Sequence, residues 1–390
     1  MDAKARNLNL LRKSVSKKFG KEIRTANDCE LLKEEVSKVC KTVSSQTYRR
    51  FFRVIVYNGC YSEFTLNGLS QYCGFPDYAA FKNSLIENEM DLLLGEINSA
   101  KSETEYWNIS EVICHKISES ATHLANTHHQ LLKYPSARVF FMEHHPMRDL
   151  AGTVYSQYFQ EYLKHENSNE AKIFAYGFLY MGAFLTENKD FMEIYHHKIA
   201  ETELTPEVYV LPAGRKFGVP LLHSWIKKDE NTFSKIYVEM LKARDSYKEV
   251  SQKSVCSFEY AVLEHLVFTD KTEIMQFLIE NNTSQLFSDK PFVRQDRKEN
   301  HEECWKIMCS IAYFKMKNYE LSEQYLNTVN LKKLLVGWKK YYAILFYFVK
   351  FEFAEIEEKS LIKNKISQLI GETHFIYYSK ILQSLEMVHL

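Results

Sequence analysis

The stretch SSQTYRRFFR, from Ser44 to Arg53, holds the densest set of side chains suited to chemistry on a polar partner. It carries Ser44, Ser45, Gln46, Thr47, Arg49, Arg50 and Arg53, with Lys41 just before it and Lys17 and Lys18 upstream. A Gln amide sets a donor beside an acceptor and matches N6 and N7 of adenine. An Arg guanidinium sets two donors in parallel and matches O6 and N7 of guanine. Ser and Thr hydroxyls can cap a helix or touch phosphate, and the cations can neutralise phosphate charge. A plainer reading stays open. Ser-Ser before a helix is an N-cap signal, and Arg-Arg on an amphipathic helix is often a solvated face.

Other chemistry finds little support. The chain has no GxGxxG, no GxxxxGK[ST] and no GxSxG. The paired carboxylates Glu34/Glu35, Glu302/Glu303 and Glu357/Glu358 are helix neighbours that do not face one another. Seven of the 14 His fall between His115 and His165, including the adjacent pairs His128-His129 and His144-His145. Adjacent helical residues diverge too far to share a metal easily, and His301-Glu302-Glu303 lacks the second His of a zinc-hydrolase helix. The eight Cys form no Cys-x-x-Cys pair and read as buried thiols. No catalytic residue, metal or cofactor is therefore expected. The segment Glu143-His144-His145-Pro146 with Arg148-Asp149 reads as a capped loop ended by proline, or as a ligand or partner pocket. The stripe Trp338, Tyr341, Tyr342, Leu345, Phe348 and Val349 has helical spacing and suits a core or a dimer face.

These residues must be held by helices. Phe (26) and Tyr (25) are abundant while Gly (12) and Pro (7) are scarce, so turn signals of the kind strands need are few. An all-α fold is expected. The longest apolar runs, Ile173 to Leu185 and Tyr341 to Val349, fall short of the ~18–20 residues that cross a bilayer. The basic N-terminus also lacks the apolar centre of a signal peptide. A cytoplasmic protein with no membrane partner is expected.

Residues 1–55 hold 14 Lys+Arg against 6 Asp+Glu, and the remainder holds 36 against 44. A basic head on an acidic body suggests a nucleic-acid partner, or two halves that attract each other. In the head, Leu8, Leu11, Val15 and Phe19 recur at helical spacing before Gly20. Asn27 or Asp28 can cap a second helix with the stripe Leu31/Leu32, Val36 and Val39/Cys40. Ser44 or Ser45 caps a third running to Ile55, and further helices are expected to end at Gly74 and to follow Pro76. The expected domains are 1–90, a polar junction over 91–110, and 111–390. In the last, polar turns at Asp190, Asn231, Asp270 and Asn318 are 41, 39 and 48 residues apart. That period suits stacked helix pairs.

Two resemblances refine this. VSKVCKTVSSQTYRRFF and FTLNGLSQYCGF resemble a helix-turn-helix of the phage-repressor type. The second carries Thr65-Leu66, Leu69-Ser70 and Gly74-Phe75 where that family has Thr-Leu, a buried Leu with a small residue, and Gly before an apolar residue. The first departs at Lys41-Thr42, where a turn Gly is usual, and its turn is a residue longer. WKIMCSIAYFKMKNYELSEQYLNTVN resembles a tetratricopeptide unit. Ser310, Ala312 and Ser322 take its small positions, Tyr313 and Tyr325 its aromatic ones, and Asn318-Tyr319-Glu320 its turn, although Cys309 replaces a usual Leu. FLYMGAFLTENKDFMEIY is a looser copy, with Gly182 at the small position and Phe184 where a small residue is usual.

The first resemblance implies that Ser45, Gln46 and Arg49 reach base edges of double-stranded DNA. Arg50, Arg53, Lys17, Lys18 and Lys41 would then contact phosphate, while Tyr48, Phe51 and Phe52 hold the inner face. It implies a homodimer too, since one small head covers only a half-site. The expected function is a DNA-binding transcriptional regulator with a tetratricopeptide-like α-solenoid that senses or dimerises. The alternative is a non-enzymatic scaffold whose array binds a protein or peptide partner in its concave face.

Overall fold

The computed structural model describes residues 3–57, 59–82, 84–85, 146–283 and 295–387, with scattered positions between 101 and 143. Among the described residues there are helices and turns but no strand. No helix among them is long and apolar enough to cross a membrane. Contacts divide the chain into two units, Met1–Glu96 and Ile97–Leu390. His128-His129, His144-His145 and most of the expected junction lie outside the described residues.

The first unit holds α1 (Ala3–Phe19), α2 (Ala26–Ser37), α3 (Ser45–Phe51) and α4 (Glu63–Tyr72), followed by a helical segment over 78–82. Its core is built from Leu11 and Val15 of α1, Cys29, Leu32 and Val36 of α2, Tyr48 and Phe51 of α3, Leu66, Leu69 and Tyr72 of α4, and Phe81. The i, i+3/i+4, i+7 spacing on α2 is what an amphipathic helix buries. Gly20 and Gly74 follow α1 and α4 with φ of 85° and 97°, the left-handed stop that glycine adopts without strain. The cap of α2 is Thr25 rather than Asn27 or Asp28. Thr25 Oγ1 accepts from Asp28 N at 3.1 Å, and Asp28 Oδ2 accepts from Thr25 N at 2.9 Å. This reciprocal box places Leu32 inward and leaves Leu31, expected in the stripe, 40 % exposed.

From residue 146 onward the second unit has 3-10 turns at Arg148–Leu150 and Val154–Ser156, then α5 (Gln157–His165). Next come the pairs α6/α7 (Asn169–Leu185, Lys189–Glu201), α8/α9 (Val210–Ile226, Glu230–Lys253) and α10/α11 (Phe258–Leu266, Thr272–Glu280). After these stand α12/α13 (Gln295–Lys315, Tyr319–Asn327), α14/α15 (Lys339–Phe353, Ile356–Thr373) and α16 (Tyr377–Met387). The first helix of each pair packs on the first helix of the next, in the order α6, α8, α10, α12, α14, and α16 returns to α6.

Three of the pair turns share one construction. Glu187, Lys228 and Lys317 take left-handed φ of 55°, 57° and 61°. The next residue's N–H reaches back to a carbonyl five residues earlier: Asn188 to Ala183 (2.8 Å), Asp229 to Ser224 (2.9 Å) and Asn318 to Tyr313 (2.9 Å). The same Asn188, Asp229 and Asn318 side chains then cap α7, α9 and α13. A non-glycine left-handed residue costs about 1 kcal/mol, and an Asn or Asp cap returns about as much. The turn expected at Asp270 is built differently. α11 starts after Lys271 without a side-chain cap, and Asp270 Oδ1 instead accepts from Trp225 Nε1 at 2.6 Å.

Ser310 and Ser322 let α12 and α13 approach closely: each hydroxyl donates to the other's backbone carbonyl, at 2.9 and 2.8 Å. Gly182, given the matching role on α6, serves another contact, since a side chain there would press on the Ala151 carbonyl. Every residue of α10 is buried. A helix lining an open channel would show one face to solvent. Here Arg148 and Tyr342 occupy that side of α10 through Glu264, and the Trp338 and Tyr341 rings enclose Arg148. The aromatic stripe is core, with Trp338, Tyr341, Tyr342, Leu345 and Val349 buried.

Candidate functional site

α3 has only seven residues, so its stability rests on its ends and its anchors. Ser44 caps it, accepting from Thr47 N at 3.3 Å, and its hydroxyl also meets Thr47 Oγ1 at 3.1 Å. Its last carbonyls are satisfied by groups outside the helix. Val54 N–H donates to Arg49 O, Tyr61 O–H to Arg50 O, and Arg12 Nε to Phe51 O. Inward, Phe51 is fully buried and Tyr48 meets Thr42 Oγ1 at 2.7 Å. The helix ends at Phe51 rather than Ile55 because Arg53 turns left-handed, with φ of 62°.

On the outer side Gln46 is exposed and Ser45 and Thr47 are half-buried. Arg49, one turn from Gln46, donates from Nη2 to Glu30 Oε1 of α2 at 3.0 Å. That bond steers the guanidinium and offsets its charge, a role for Glu30 that the sequence reading did not assign. Arg50 is half-buried and lies over the Tyr57 ring. Lys17, Lys18, Lys41 and Arg53 are exposed, Lys18 above the Tyr72 ring. Among the described residues none of these four, nor Arg50, has a carboxylate within ion-pair distance, whereas Lys21, Arg24, Lys38 and Arg49 are paired. α2 and α3 pack on each other, joined by Lys38–Val43, longer than the usual three or four residues of such a turn. Cys40 Sγ meets Gly68 O at 3.5 Å and docks that connection on α4.

A second constellation lies inside the other unit. Arg148 and Asp149, expected in a capped loop, are 8 % and 7 % exposed. The 3-10 turn that carries them points inward. Arg148 Nη1 meets Glu264 Oε1 at 2.5 Å, and its guanidinium lies 4.3 Å from the Trp338 ring centre. Tyr342 O–H donates to the same carboxylate oxygen at 3.0 Å, and Arg215 Nη2 stands 3.7 Å from the other. Asp149 Oδ1 accepts from Tyr341 N at 2.8 Å and ties the turn to α14. Gly177 leaves room for the Arg215 stem, and Gly214 lets α8 approach α10 closely.

The charges set one another's protonation. Burial would raise the Glu264 carboxyl, but Arg148 and Arg215 outweigh it and hold it at about 2. Burial pushes Asp149 up to about 6 and His265 down to about 4. The sequence reading missed Arg215 and Glu264. The available signal was the basic pair Arg215-Lys216 in the apolar run of α8 and the two carboxylates Glu259 and Glu264 in FEYAVLEHL.

A wide groove of about 750 Å³ runs beside Trp225, Asp270 and Tyr377. On its wall His223 Nε2 lies 3.3 Å from Glu193, and its ring stacks on His196 at 4.0 Å. Burial lowers His196 to about 4. Among the described residues no three His, Cys, Asp or Glu stand close enough to hold a metal ion. Comparison of the chain with protein-family models, with curated proteins and with solved structures finds no match.

Proposed function

We propose that the chain is a duplex-DNA-binding regulator that reads base edges through the outer face of α3. In this reading α2, the 38–44 connection and α3 act as a helix-turn-helix. The paired helices of the larger unit form a tetratricopeptide-like array that senses a ligand or dimerises. One observation carries it: Gln46 and Arg49 lie one turn apart on the outer side of a helix whose caps and buried Tyr48 and Phe51 fix its orientation. An exposed amide one turn from a guanidinium steered by Glu30 supplies the two kinds of group that bidentate base recognition uses. The acid-free cations Lys17, Lys18, Lys41, Arg50 and Arg53 supply the sequence-independent attraction. The groove beside His223 is of the size small ligands occupy, which supports the sensing role.

The test is retardation of duplex DNA by the full chain at low salt. Arg49→Ala is expected to relax sequence preference, and Lys17→Ala to weaken binding to all sequences alike. A chain that retards no duplex at low salt refutes the reading.

A further inference from the structure

We propose that the centre of the larger unit is a binding site for a small halide-sized anion, chloride in practice, held between Arg148 and Arg215. Both guanidiniums line one cavity with Ala151, Phe178, Met181 and Glu264. Arg215 is 4 % exposed and Arg148 8 %. Arg215 Nη1 and Arg148 Nε are buried and have no hydrogen-bond partner among the described residues. Leaving such donors unmade in the interior carries the full desolvation cost of a charged group.

The nearby carboxylates do not answer that need. Glu264 Oε1 is taken by Arg148 Nη1 and the Tyr342 hydroxyl, and Oε2 stands 3.7 Å from Arg215 Nη2, beyond hydrogen-bond reach. Asp149 is engaged by the α14 backbone through Tyr341 N. Two guanidiniums thus share one carboxylate and present spare N–H groups to one cavity. Glu264 shares the lining with the two Arg residues and the rest is mostly apolar, so the walls carry one positive charge in excess. An acceptor-only anion matches that excess; a cation does not.

Size narrows the class. The space open to the centre of a water-sized sphere is about 20 Å³, little more than one such sphere needs. A monatomic anion fits, whereas sulfate and phosphate do not. The bound ion would fasten α6, α8, α10 and the 148–150 turn to one another. This inference stands apart from DNA binding, and its test contains no DNA.

Thermal unfolding of the full chain is measured in sodium chloride and in sodium gluconate at equal ionic strength. Chloride is expected to stabilise. Above its Kd, each tenfold rise in concentration should multiply the folding constant by about ten. Arg215→Met should flatten that dependence. Crystals soaked in bromide should show an anomalous peak beside Arg215 Nη1, which decides the matter even if Arg215→Met does not fold. A midpoint indifferent to chloride, an equal response in Arg215→Met, or a bromide soak with only water at Nη1 overturns the proposal.

Discussion

Removing either partner of the Arg148–Glu264 pair should destabilise the larger unit, but by unequal amounts. Breaking a buried pair costs about 3–5 kcal/mol, because it strands the surviving charge. Arg148→Met sits at the lower end. Glu264 keeps the Tyr342 hydroxyl at 3.0 Å and Arg215 at 3.7 Å, so one carboxylate still faces one guanidinium. The methionine also fills the space against Trp338. Glu264→Gln keeps the shape but leaves two guanidiniums with no counter-charge, which places it near 5 kcal/mol. The double variant should cost less than the sum of the two, because its partners are in contact. Urea unfolding followed by near-UV circular dichroism gives the three values, with the m-value checking that the transition is the same one. Should Arg148→Met cost as much as Glu264→Gln, charge balance is not what governs this site and the reasoning fails.

Three further outcomes follow from the geometry. Gly214→Ala would drive a methyl group onto Ala261 and to within 2.9 Å of the Phe258 carbonyl, and should cost about 3 kcal/mol in the same assay. His265 is held neutral, with its pKa lowered to about 4. Its contribution is complete above the ordinary value near 6.5 and is lost as pH falls towards 4. Asp149, raised to about 6, has the opposite sign, its cost being relieved as pH falls below that value. Stability titrations should therefore show His265→Gln gaining stability relative to the wild type as pH falls from about 6.5 to about 4, and a constant difference would contradict the assignment. Glu30→Gln frees Arg49. Anisotropy titrations should then show tighter binding to random duplexes and poorer discrimination, with stability changed by less than about 1 kcal/mol because the pair is partly exposed.

How legible each part was depends on the range of the interactions that build it. α3 could be read because its determinants are local: Ser44 as cap, Tyr48 and Phe51 as anchors, Gln46 and Arg49 between them. Its early end could not, because Arg53 turns under backbone strain, and Arg12 and Tyr61 satisfy the open carbonyls from elsewhere. The pair turns near residues 188, 229 and 318 announced themselves by a capping Asn or Asp. Asp270 looked the same, yet is spent on Trp225, a partner 45 residues away. The buried centre was the least visible. Arg148, Arg215 and Glu264 come from the 148–150 turn, α8 and α10, far apart in the chain, and nothing local marks them as partners until those elements pack. Pro146 gave no sign that the residues after it turn inward.

The most direct test of the DNA-binding account is the salt dependence of duplex affinity for the full chain. If Lys17, Lys18, Lys41, Arg50 and Arg53 each neutralise one phosphate, the slope of log affinity against log salt is about −4 to −5 per head. Between about 50 and 200 mM salt that is a loss of roughly 500-fold. Arg53→Ala should make the slope shallower by about one unit. A flat profile, or a slope unmoved by substitution at any of these five positions, contradicts the account.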